Sequence, residues 1–141
     1  MIKGNLVSNV EFGIWLVFDC DGNEVMGNQI DNSIGPVTNG ITLAGINYLG
    51  MEFFVEDNQV KLNHVSNCVL DGISMTQAYD NMIGPNNICN YNGKDGISLW
   101  PYTGGNNVIN NEALNNTEYD NWNGGDNNKF RANTAVNTFG I

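Results

Sequence analysis

Asn58-Gln59-Val60-Lys61-Leu62-Asn63-His64-Val65-Ser66-Asn67 is the stretch on which the reading of this chain turns. Asparagine stands at its first, sixth and tenth positions and an aliphatic residue at its third and eighth. The same frame recurs at Asn23, Val25, Asn28, Ile30 and Asn32, and again at Asn81, Ile83, Asn86, Ile88 and Asn90. Two more copies fall at Asn106, Val108, Asn111, Ala113 and Asn115, and at Asn128, Phe130, Asn133, Ala135 and Asn137. Ile2, Asn5, Val7 and Asn9 supply most of a sixth. The full copies start 35, 23, 25 and 22 residues apart, and 17 of the 27 asparagines lie on this grid.

A second block follows four of the copies: Gly13-Ile14-Trp15-Leu16, Gly40-Ile41-Thr42-Leu43, Gly72-Ile73-Ser74-Met75 and Gly96-Ile97-Ser98-Leu99. Gly140-Ile141 reads as the opening of the same block. Apolar residues alternating with small or polar ones give a period of two, hence short strands with one face inward. Asn and Gly close each strand and mark turns. A repeat of 20–50 residues marks a solenoid.

The fold that satisfies this pattern is all-β: a single right-handed parallel β-helix of about six coils, each stacked on the next at roughly 4.8 Å. Aliphatic side chains then form interior columns. Asparagines at equivalent corners form ladders, because one amide can accept from one neighbouring coil and donate to the other. The columns do not follow a 3.6-residue period, so helices are excluded. The expected domain is residues 1–141, uncapped at both ends, with an insertion around 44–57.

Composition narrows the function. The chain has 141 residues, enough for one domain. It carries 15 acids against 5 bases, a formal net charge of −10, which argues against a nucleic-acid partner. It has no long apolar run to span a membrane, and no signal peptide begins at Met1. With 41% hydrophobic residues it is more apolar than typical disordered chains.

The register of Asn corners and Gly-Ile-x-Leu strands resembles the parallel β-helix repeats of the pectate-lyase-like superfamily. It is especially similar to the Asn-rich NosD-type carbohydrate-binding and sugar-hydrolase repeats. The resemblance covers nearly the whole chain and implies the fold and an extracellular or cell-surface location. It is poorly specific for activity, since lyases, hydrolases, epimerases, tailspikes and non-catalytic binders share the scaffold.

Two departures from the repeat stand out. The 35-residue spacing carries about a dozen extra residues centred on Ile46-Asn47-Tyr48-Leu49-Gly50-Met51-Glu52-Phe53-Phe54-Val55. They read as a loop on the binding face, or as a hairpin folded back to bury Phe53 or Phe54. After Asn115, Tyr119-Asp120-Asn121-Trp122-Asn123 replaces Gly-Ile-x-Leu. The small Ala113 and Ala135 leave room for Trp122 inside as an aromatic plug; otherwise Tyr119 and Trp122 stand outside.

A sugar-binding surface needs exposed rings flanked by amides and carboxylates, since a pyranose has an apolar face and a hydroxylated edge. Phe18, Tyr79, Trp100 and Tyr102 each follow a Gly-Ile block, and stacking brings them to one side with Asp19, Asp21, Asp80 and Asp120. With Tyr119 and Trp122 these form the candidate ligand-binding set, and core packing is the competing account of the rings. Asp19-Cys20-Asp21-Gly22-Asn23-Glu24 matches half of a calcium loop, so Asp19 and Asp21 are the candidate metal ligands and Ca²⁺ is the one cofactor suggested.

Catalysis is weakly signalled. Pectate lyases pair a calcium-binding acid cluster with an Arg or Lys base; here only Lys3, Lys61, Lys94, Lys129 and Arg131 are available, none beside an acid triad. Polygalacturonase motifs are missing, and the single His64 reads as an outward residue. Asp95, Asp120 and Asp126 could approach one another across coils as paired carboxylates. Cys20, Cys68 and Cys89 have no metal-ligand spacing and read as buried thiols.

Both ends stop in register, so the chain is expected to continue a longer β-helix or to associate end to end with itself. The reading that the residues favour is a non-catalytic extracellular β-helix module, structural and polysaccharide-binding. The alternatives are a polysaccharide lyase, hydrolase or tailspike-like depolymerase fragment, and a self-assembling filament subunit.

Overall fold

The computed structural model describes residues 1–31, 34–35 and 38–141; Asn32 of the repeat lies outside the described residues. The described chain contains only strands and turns, arranged as the parallel β-helix that the repeat requires. The first sheet is built from Ile2–Lys3, Glu24–Met26, Gln59–Lys61, Met82–Ile83, Asn107–Ile109 and Lys129–Arg131. All its neighbours are parallel, and Ile2, Val25, Val60, Ile83, Val108 and Phe130 form one inward column.

The second sheet holds Leu6–Ser8, Gln29–Asp31, His64–Ser66 and Ile88–Asn90, and single bridges continue it through Glu112 and Thr134. Its inward column is Val7, Ile30, Val65 and Cys89. His64 faces outward in register with Gln29 and Ile88.

The third sheet holds Ile14–Val17, Ile41–Ala44, Ile73–Thr76, Ile97–Leu99, Asn121–Asn123 and Thr138–Phe139. Here Ile14, Ile41, Ile73 and Ile97 stack inside, with Leu16, Leu43, Met75 and Leu99 beside them. The Gly before each block is required by close packing: a Cβ at Gly72 would lie 2.6 Å from the Gly96 carbonyl oxygen.

The amide ladders are continuous. Asn23 N–H donates to Asn58 Oδ1, and the chain of bonds runs on through Asn81, Asn106 and Asn128. In a second ladder Asn63 Oδ1 accepts from Asn28 N and Nδ2 at 2.9 and 3.0 Å. Asn63 Nδ2 in turn donates to Asn87 Oδ1 and to the Val25 carbonyl, each at 3.0 Å.

That ladder corrects the expected register of the third copy. Asn87, not Asn86, stands between Asn63 and Asn111. Gly84 and Pro85 occupy a place that single residues fill in neighbouring copies, so everything after them is displaced by one. Asn86 sits instead at the corner with φ of 62°, in line with Leu62 and Asn110, which are also left-handed. Ile88 therefore faces outward and Cys89 takes the core position.

The tenth-position asparagines are corrected too. Asn67 and Asn115 are left-handed corner residues, and Asn90 bonds sideways to Glu112. Asn92 and Asn116 supply the third ladder.

The last coils depart most. Trp122 is not an interior plug: it pairs with Ser98 on the outward side, and Asn121 takes the inward place in register with Ile97. Asn121 is fully buried, and neither its Nδ2 nor its Oδ1 is hydrogen-bonded. Nor does Gly140-Ile141 open a strand, since Thr138–Phe139 fills that register. The insertion is an antiparallel hairpin, Ile46–Tyr48 with Met51–Phe53, whose Phe53 and Phe54 are half-buried against Phe18 and Tyr79.

Two substitutions test this register. Asn87→Ala strips partners from buried Asn63 and Val60 groups and should cost about 3 kcal/mol in denaturant unfolding, whereas Asn86→Gly should cost well under 1. Asn121→Val should stabilise by about 1–2 kcal/mol, because it removes an unsatisfied amide from an isoleucine column.

Candidate functional site

Outward positions of the third sheet run Trp15, Thr42, Ser74, Ser98, Trp122 and Phe139 along the coil axis. The three hydroxyl residues in the middle are small, so the surface dips between aromatic neighbours. A groove of about 680 Å³ lies over Thr42 and Ser74, while Ser98 is fully buried beside it. Asn39 and Asp71 line one side, from the turn that enters each strand, and Thr76, Trp100, Pro101 and Tyr102 line the other, where the strands end.

The entering turn carries a ladder of its own. Asn39 Oδ1 accepts from Asp71 N at 3.1 Å, Asp71 Oδ1 from Asp95 N at 3.3 Å, and Asp95 Oδ1 from Tyr119 N at 3.0 Å. A carboxylate thus replaces the amide at two steps. Its second oxygen is left for other work: Asp71 Oδ2 accepts from Ser98 Oγ at 2.6 Å and from Trp100 Nε1 at 3.4 Å. Ser98 Oγ also lies 3.2 Å from Ser74 Oγ, so hydroxyls of two coils and one carboxylate are linked.

Lys94 closes the arrangement. Its Nζ is 3.7 Å from Asp95 Oδ2 and 4.1 Å from the centroid of the Trp100 ring. Burial, and then the charge of Asp71, push the Asp95 carboxyl up to about 6, although Lys94 and the Tyr119 N–H pull the other way.

The structure distributes the sequence-chosen residues unevenly. Trp100 and Tyr102 stand on the groove wall. Trp122 packs against Trp100 at 5.1 Å and stacks on Phe139, which also meets Tyr119, so these four rings form one band. Tyr79 lines a second cleft of about 570 Å³ with Asp80 and Asp126, on the far side of Pro101 and Tyr102. Phe18 is not part of either and meets Phe53 beside the hairpin.

Asp120 is buried. Burial alone would raise its carboxyl, yet hydrogen bonds from Val136, Asn137 and Asn116 outweigh it and hold the group below the usual range. It is committed to the coil rather than to the groove.

Asp19 and Asp21 are exposed, and Asp21 accepts from Glu56 N at 2.9 Å. Burial, then the charges of Asp21, Asp57, Asp80 and Asp19, raise the Glu56 carboxyl. No group of three His, Cys, Asp or Glu placed to hold a metal is found among the described residues. Sequence reading missed Asp71, Ser74, Ser98 and Lys94 as site residues. The signal was present: Asp-Gly-Ile-Ser occurs twice, at Asp71–Ser74 and Asp95–Ser98, and the acid before the glycine was not read with the block.

The family model described as periplasmic copper-binding protein (NosD) matches residues 1–140. The chain belongs to the NosD family. Among solved structures it is similar to the Azotobacter vinelandii mannuronan C-5 epimerase AlgE6 A-module, with a TM-score of 0.58 and 12% identity. That likeness covers 98% of this chain but 53% of the A-module, so the chain spans about half of its neighbour, and it bears on fold alone. No curated protein matches the chain.

Copper favours thiolate, thioether and imidazole donors. In this NosD-family chain His64 faces solvent on the second sheet, while Cys68 and Cys89 are buried in the core. Burial pushes the Cys89 thiol far above its usual range, and the nearby Cys68 adds to the shift. His64 outside and the thiols of Cys68 and Cys89 inside therefore do not come together as one copper centre.

The raised Asp95 carboxyl has a sign that can be measured. The folded state holds its proton up to about pH 6, whereas the unfolded state releases it near its ordinary value of 3.8, so stability should fall as pH rises from about 4 to 6. Wild type should lose up to about 2 kcal/mol over that range relative to Asp95→Asn, read from unfolding at each pH.

Proposed function

We propose that this chain is a non-catalytic, exported β-helix module that holds a polysaccharide in the groove over its third sheet. One observation carries the reading. Successive coils place the Thr42 and Ser74 hydroxyls one above the other beside the Asp71 carboxylate, with Trp100 and Tyr102 as an aromatic wall. A glycan presents repeated hydroxyls and apolar ring faces, and it is the ligand whose chemistry repeats in the same way. The family's periplasmic description agrees with an exported module.

A second reading, a polysaccharide-processing enzyme, is favoured by the buried carboxylates Asp71 and Asp95, one of them poised near neutrality. Against it, both Asp71 oxygens and Asp95 Oδ1 accept hydrogen bonds from the chain itself.

A polysaccharide panel tests the two together. Binding should be retained by wild type and weakened about ten-fold or more by Trp100→Ala, with the unfolding transition intact. Absence of binding to every glycan would defeat the proposal. New reducing ends or unsaturated products that vanish in Asp95→Asn would replace it with the enzymatic reading.

A further inference from the structure

Resting on the glycan-binding reading, we infer that the groove selects an amine-bearing glycan, whose ammonium group takes the place of Lys94 Nζ between the Trp100 ring and Asp95. In the free protein Lys94 occupies the geometry by which proteins recognise cations: a π face at 4.1 Å and a carboxylate oxygen at 3.7 Å. The Lys94 side chain is only partly exposed, and it reaches this seat from the turn before the strand that carries Ser98. The seat is formed on the same coil by the next residue, Asp95, and by Trp100 just past the strand, and neither relies on Lys94 for its position. Trp100 is fixed by its Nε1–H to Asp71 and by its packing on Trp122, and Asp95 by the Tyr119 N–H. Withdrawal of the flexible lysine leaves a preformed site for another ammonium.

Charge points the same way. Among the described residues Lys94 is the one base lining the groove, against the carboxylate of Asp71 and the adjacent Asp95. Beyond Tyr102 the neighbouring cleft presents Asp80 and Asp126 and no base. Past them, Asp19, Asp21 and Asp57 lie close enough to Glu56 to raise its carboxyl. A polyuronate laid along this face would bring carboxylates against carboxylates in a chain of net charge −10. A neutral glycan would leave the cation seat to Lys94. A glycan with free amines supplies both the ring faces that the aromatic wall takes and the charge that the acids attract.

The test compares three oligosaccharides of equal length by calorimetry at pH 6.5: a glucosamine oligomer with free amines, its fully N-acetylated form, and an oligouronate. The free amine should bind about ten-fold more tightly than the acetylated form, and the oligouronate should not bind. Lys94→Met should tighten binding of the free amine several-fold, and Asp95→Asn should abolish its advantage over the acetylated form. Trp100→Ala leaves every charge in place and should weaken binding about ten-fold; undiminished binding there would mean attraction by bulk charge and would overturn the inference. Equal or better binding of the acetylated or uronate oligomer, still weakened by Trp100→Ala, would overturn the amine selectivity and leave the glycan-binding reading standing. Uronate binding that disappears in Lys94→Met would assign the lysine the opposite role. If none of the three binds and the polysaccharide panel is also blank, the reading beneath the inference falls as well.

Discussion

A coil wound from short strands must turn a corner every few residues, and each corner strands backbone donors and acceptors inside a narrow tube with no room for water. Asparagine resolves this because its side chain carries an acceptor and two donors on a single carbon stem. Asn63 shows the full use of the group: its oxygen takes two hydrogens from Asn28, and its nitrogen reaches Asn87 and the Val25 carbonyl. Aspartate in the same place would stack like charges, serine would be too short, and an aliphatic residue would leave buried backbone groups unpaired. The aliphatic columns supply most of the burial, but apolar contact is non-directional and would tolerate slipped coils. The ladders fix which coil position lies above which. Everything on the outer surface inherits its place from them.

The candidate site is a variation on that device. At the turn entering the third sheet the ladder passes from Asn39 to Asp71 to Asp95, and the backbone bond is kept at each step. Only the second atom of the head group changes, from a donor nitrogen to an acceptor oxygen, and in Asp71 that oxygen turns toward Ser98 and Trp100. Two carboxylates one coil apart repel each other, which is part of why Asp95 holds its proton to higher pH. The scaffold tolerates this cost at two steps and nowhere along the long asparagine ladders. A local penalty of this kind is expected where a repeat protein presents a ligand surface.

Much of the fold was legible because its signal is periodic: the coil class, the inward columns and the ladder through Asn58, Asn81, Asn106 and Asn128 follow from spacing alone. The errors arise where one residue changes phase. Gly84-Pro85 adds a residue without disturbing the visible asparagine pattern, since Asn86 and Asn87 are both present and spacing cannot choose between them. For Trp122 the room left by Ala113 and Ala135 pointed inside, but its neighbours Asn121 and Asn123 break the alternation and the ring stands outside. Asp71 was not singled out, and Asp95 was considered only as a carboxylate partner of Asp120 and Asp126. The pairing of Asp71 with Asp95 depends on which coil lies above which, and unequal repeat lengths hide that from the sequence. The rings were partly legible: Trp100, Tyr102 and Trp122 do converge, while Phe18 is diverted by the hairpin.

Side-chain amide hydrogen exchange, followed by NMR, tests the ladder account most directly. The NH₂ protons of Asn58, Asn63, Asn81, Asn87, Asn106 and Asn111 should exchange as slowly as the backbone amides of Ile73 and Ile97, and only through global unfolding. Those of the exposed corner residues Asn86, Asn110 and Asn127 should exchange within the time of mixing. Exchange of Asn63 and Asn87 as fast as that of Asn86, in an otherwise protected core, would mean that the amides do not hold the coils together.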